Sequence, residues 1–179
     1  RLEYSDGKSW GRMVDPAQLE RLFKSPLMRS ANAIAGLFYD GVVVTESDND
    51  RAFYAEIYHR LSAMSADLPS VLFINAQNKQ TIKDIIGPLR QFGVPAAAIP
   101  DIDIVKAGGK TWNDWLSACQ VPTAIHAGYQ AQRNAIKACF DASGKEMKTA
   151  GGVSILTGSD RLAADQLFDV LAEYGVFVV

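Results

Sequence analysis

Gly41-Val42-Val43-Val44-Thr45-Glu46-Ser47-Asp48-Asn49-Asp50 decides how the rest of the chain is read. Three β-branched residues after a glycine predict a buried strand. An acidic cluster ends it, and a helical pattern starts at once. Phe53, Ile57, Leu61 and Met64 recur at spacings of four, four and three, an apolar stripe on one helix face. Ser47 or Asp48 supplies the N-cap. Glu46 then stands at the carboxyl end of a strand and Asp50 about one turn on, near the helix start. Open α/β sheets place their chemistry at that edge. Two carboxylates meeting there favour a divalent cation.

The pattern continues outward from this unit. Val71 to Ile74 reads as a second strand, residues 75 to 79 as a polar turn, and Ile82, Ile85, Ile86 and Leu89 as a helix stopped by Gly93. A third strand, Val94 to Ile99, runs into Pro100-Asp101-Ile102-Asp103. Strand and helix alternating with short links predict an α/β fold, a parallel sheet with right-handed crossovers and flanking helices. Residues 111 to 141 read as helical, Val153 to Leu156 as a short strand, Ser159 to Tyr174 as a last helix, and Val176 to Val179 as a final strand. Upstream, residues 1 to 15 are polar and aperiodic apart from Trp10 and predict little order. Asp15-Pro16 is a helix start, and a second short helix is expected over Leu27 to Ala35.

In an extended segment, residues two apart face the same side. Asp101 and Asp103 can therefore share a ligand while Ile102 points into the core. With Glu46 and Asp50 they make four carboxylates at the carboxyl edge of one sheet. Unneutralised, these would repel one another. Hard cations such as Mg²⁺ or Mn²⁺, taken up by oxygen donors, relieve the repulsion. A solvated loop or an acidic helix start accounts for either cluster alone; two clusters at strand ends of one sheet favour a shared metal site.

Composition narrows the classes. The 179 residues are 48% hydrophobic, enough to bury a core, and the net charge of −2 provides no bulk attraction for a polyanion. Binding nucleic acid would need a local basic face or bound metal. Cys119 and Cys139 show no paired spacing and read as reduced thiols. No apolar run is long enough to span a bilayer and no signal-peptide pattern is present, so a cytoplasmic location is expected. An opening Arg1 and a closing apolar run predict a fragment of a longer chain, truncated at its C-terminus.

Several motifs do not hold. Gly108-Gly109-Lys110-Thr111 mimics the tail of a phosphate-binding loop, but Ile104 stands where its first glycine is needed. An EF-hand from Glu46 fails at Arg51 and Ile57. His59 and His126 lack partners at zinc or triad spacing. Trp112 and Trp115 read as packed helix residues rather than a stacking surface. Gln77, Asn78 and Lys79 in the turn after the second strand are candidate phosphate contacts, with an ordinary solvated turn as the equal alternative. Lys145 and Lys148, flanking Glu146, read as a solvated charge run.

A glutamate closing one strand and a DxD closing a later one resembles the Toprim domain of topoisomerases, primases and nucleases. Residues 37 to 54, Leu37-Phe38-Tyr39-Asp40 through Arg51-Ala52-Phe53-Tyr54, are most similar to the overcoming lysogenization defect (OLD) branch, as are Ser25-Pro26-Leu27 and residues 173 to 179. Asp50 matches that branch's acidic residue four after the glutamate; Ser47 departs from its usual glycine. The resemblance, over about residues 20 to 179, implies a Toprim-like (Rossmann-like) sheet with helical additions. It also implies a nuclease cutting DNA with two Mg²⁺ or Mn²⁺ ions, joined to an N-terminal ABC-type ATPase domain. A further acidic ligand and a lysine would follow Val179. On this reading residues 1–35 are a helical lead-in suited to homodimerisation, and residues 36–179 the catalytic Toprim domain. Two other readings stay open: a catalytically silent Toprim module for DNA binding or dimerisation, and a receiver-like Mg²⁺-binding signalling domain.

Overall fold

The computed structural model describes residues 2–5, 7–11, 13, 15–65 and 67–179. The chain divides into two compact units, Arg1–Ala97 and Ala98–Val179. In the first, β1 (Leu2–Ser5) and β2 (Lys8–Gly11) form an antiparallel hairpin, so order appears where the polar sequence predicted little. Helix α1 (Pro16–Lys24) starts as expected, the Asp15 carboxylate accepting from Ala17 N with Pro16 at the first position. Helix α2 (Pro26–Ser30) follows, and a 3-10 turn over Ala33–Phe38 takes the rest of the predicted second helix.

The sheet is parallel and three-stranded, in the order β4 (Val71–Asn75), β3 (Gly41–Thr45), β5 (Ala96–Ile99). β3, the first of the three in sequence, lies in the middle; α3 (Asp48–Met64) connects it to β4, and α4 (Lys79–Gln91) connects β4 to β5. Gly41 pairs with Val71 and Thr45 with Asn75. Val42 and Val44 are buried, and α4 covers them with Ile82, Ile85, Ile86 and Leu89. Gly36 is needed for close approach: a Cβ there would stand 2.6 Å from Val42 Cγ2.

The stripe of α3 does not pack as the spacing suggested. Phe53, Ile57, Leu61 and Met64 are 40% to 85% exposed, and α3 has no buried residue. Its half-buried face is Arg51, Tyr54, Ala55 and Tyr58, with the Tyr58 ring 5.6 Å from Phe73 and its hydroxyl donating to Pro69 O. Large aromatic side chains take the inner face and rotate the stripe outward.

The second unit is mostly helical: a 3-10 turn (Ile102–Lys106), α5 (Lys110–Ala118), α6 (His126–Ser143) and α7 (Gly158–Glu173). The predicted helix over 111–141 is broken after Ala118, where Gln120 takes the left-handed region at φ +60° and a 3-10 turn (Thr123–Ile125) precedes α6. The stretch predicted as a strand, Val153 to Leu156, lies on a 3-10 turn (Gly152–Ile155) instead, where Gly151 and Gly152 at φ +106° and +59° turn the chain as it arrives. The core gathers Ile104, Val105, Trp112, Trp115, Leu116, Phe140, Leu167 and Leu171. After α7, Gly175 at φ +71° releases the chain, which runs parallel to residues 98–102. Phe177 N donates to Ala98 O, Val179 N to Pro100 O, and Ile102 N to Val179 O. No helix among the described residues is long and apolar enough to cross a membrane.

Candidate metal centre

Glu46 is the first residue beyond β3, where the buried valines hand over to polar chain. Thr45, fully buried, holds that exit: its Oγ1 lies 3.0 Å from Ser47 O and 3.3 Å from Ile74 O. Ser47 then caps α3 through a reciprocal box. Asp50 N donates to Ser47 Oγ at 3.2 Å, and Asp50 Oδ2 accepts from Ser47 N at 3.1 Å. Glu46 is thus fixed between a hydrogen-bonded strand end and a capped helix.

Asp101 follows β5. Its neighbours Pro100 and Ile102 are both hydrogen-bonded to Val179, which holds this backbone extended. Ile102 is buried, as predicted, and the chain then tightens, Ile104 N donating to Asp101 O at 3.0 Å. The Asp101 side chain is 34% exposed and that of Asp103 12%. Lys148 Nζ lies 2.5 Å from Asp101 Oδ2 and 3.5 Å from Asp103 Oδ2. Lys148 is therefore not part of a solvated charge run; nothing in its sequence neighbourhood marks the contact, since the loop carrying it is far from the DxD in sequence.

Glu46, Asp101 and Asp103 form a group suited to a metal ion, each offering one carboxylate oxygen within 4.8 Å of the others. The donor set is all-oxygen and anionic, the chemistry hard divalent cations select. Asp50 lies outside this trio, its Oδ2 engaged in the cap. The three turn residues shape the entry to α4. Gln77 sits at φ +69° with its N–H donating to Asn75 Oδ1, Asn78 caps α4 by accepting from Thr81 N, and Lys79 is the first residue of α4.

The turn that carries Asp103 is tied to α6. Arg133, from α6, donates to Val105 O at 2.9 Å and stands 6.0 Å from the centre of the Trp112 ring. Burial lowers its pKa from the usual arginine value, yet a guanidinium keeps its charge. Trp112 and Trp115 are core residues. Neither Cys119 nor Cys139 is in a disulfide, and burial is the main cause raising the Cys139 pKa.

A parallel α/β sheet flanked by helices, with an acidic oxygen-donor trio after its strand ends, is consistent with a Toprim-like fold, a class whose members bind divalent metals. The family model described as "Overcoming lysogenization defect protein-like, TOPRIM domain" matches residues 37–103, which takes in β3, β5 and all three carboxylates. The resemblance read from the motifs is borne out over that stretch, and it points to metal-dependent chemistry of the nuclease and primase kind. No curated protein and no solved structure matched the chain.

Proposed function

We propose that this chain is the nuclease part of a larger ATPase–nuclease and hydrolyses DNA phosphodiester bonds with bound Mg²⁺ or Mn²⁺. The observation that carries the reading is the trio of Glu46, Asp101 and Asp103, whose carboxylate oxygens lie within 4.8 Å of one another. Glu46 and Asp101 hold the first ion and Asp103 completes its shell. Asp50 serves a second ion through Oδ1, the cap engaging only Oδ2. Cations held by these carboxylates would supply water activation and charge neutralisation at the leaving 3′ oxygen. Around them the chain's own residues orient the substrate: Gln77, Asn78 and Lys79, at the start of α4, meet phosphate where a helix N-terminus favours an anion. An N-terminal ABC-type ATPase domain, a homodimer formed through residues 1–35 and a catalytic domain over 36–179 complete the proposal.

The test is nicking of supercoiled plasmid with Mg²⁺, Mn²⁺ or EDTA, by wild type and by Asp101→Ala. Cleavage that needs metal and falls at least ~100-fold in the variant supports the reading, since removing a ligand removes charge stabilisation specific to the transition state. Metal-independent DNA binding by a folded chain that cuts nothing favours the silent module instead.

A further inference from the structure

Lys148 stands where a metal would be expected to act. Its ammonium lies 2.5 Å from Asp101 and 3.5 Å from Asp103, the two carboxylates that share one side of the chain. The position is built rather than incidental. Met147 beside it is buried, and Gly152 N donates to Met147 O at 2.9 Å. Lys106, from the turn that carries Asp103, pairs with Glu146 of the same loop at 3.1 Å. A buried anchor and a second ion pair therefore keep Lys148 over the DxD.

We propose that Lys148 is a tethered cation that neutralises Asp101 and Asp103 before metal arrives and competes with the metal for them. The inference rests on the metal reading above and adds a regulation to it: the divalent ion must displace the ammonium, so Lys148 sets how much metal the site requires. A flexible four-carbon stem carrying a compact charge suits this, because the ammonium can leave without unfolding the loop. While the lysine is in place, the aspartates are held together at low repulsion. Once it is displaced, its positive charge stays beside the site and available to a phosphate.

The experiment is Mn²⁺ binding, followed by the electron paramagnetic resonance signal of free Mn²⁺, with no nucleic acid present. Lys148→Met and Lys148→Gln are compared with wild type, Lys148→Arg and Lys145→Met. Both neutral variants should bind Mn²⁺ about tenfold more tightly, the scale expected for losing a half-exposed ion pair plus repulsion of the incoming ion. Lys148→Arg should stay near wild type, as should Lys145→Met, which removes a charge from the same loop away from the aspartates. Unchanged or weaker binding in the neutral variants overturns the proposal, and so does an equal gain in Lys145→Met or Lys148→Arg. Absence of Mn²⁺ binding in every protein would instead sink the metal reading itself, and the competition with it.

Discussion

At the scale of single residues, the supports of the carboxylates are as informative as the carboxylates. Thr45 looks like one more β-branched strand residue, but its buried hydroxyl holds the chain where it leaves β3. Thr45→Val keeps shape and loses that tie. It should lower stability by about 1–2 kcal/mol, since one acceptor is left without its donor, and weaken Mn²⁺ binding; urea denaturation and metal titration read the two effects. Arg133 plays the equivalent part behind the DxD, through Val105 O. Arg133→Met should cost about 2–3 kcal/mol in the same denaturation assay, leaving a buried carbonyl unsatisfied and Trp112 without its cation. Glu46, Asp101 and Asp103 were legible because a strand period of two and a strand-end position are local patterns. Lys148 was not, because a contact between distant loops leaves no local spacing to read.

At the scale of elements, α3 shows how far a periodic pattern reaches. Spacing of four, four and three specifies one apolar face but not which face the sheet will cover, and here Tyr54 and Tyr58 took the inner one. With no buried residue, the helix depends on its start. Ser47→Ala should cost about 1 kcal/mol, visible as a fall in the denaturation midpoint and in early amide-exchange protection of α3. The same start responds to acid. A hydrogen bond from Arg51, with its charge, lowers the Asp48 pKa from the ordinary value. A carboxylate depressed in the folded state adds stability that is present above its unfolded pKa and lost as pH falls through the folded one. The stabilising contribution of this exposed pair should therefore fade below about pH 4 and be absent in Arg51→Gln; melting curves at pH 3 and pH 7 for both proteins check it. The other misread element, Val153–Leu156, had strand composition, but two consecutive left-handed glycines decided its geometry.

At the scale of the whole chain, the alternation of strands and helices was readable as far as β5, and the family match ends just beyond it, at Asp103. Beyond it the helices were legible but their breaks were less so. Val176, almost fully buried, begins the closing segment beside residues 98–102. Val176→Asp should cost about 3 kcal/mol or more by burying an uncompensated charge, and proteolysis near Asp101 should quicken with it. That pairing also orders events in time. A ribosome makes β3, Glu46, β5 and the DxD well before Val176 to Val179, and nascent chains fold from the N-terminal side. The segment that holds Asp101 extended emerges some 75 residues after it, so a nascent chain that has not yet reached Val176 carries its acidic residues without the brace that aligns them. Non-local pairings form slowly, so the extended backbone at Asp101 is completed only after synthesis has passed α7.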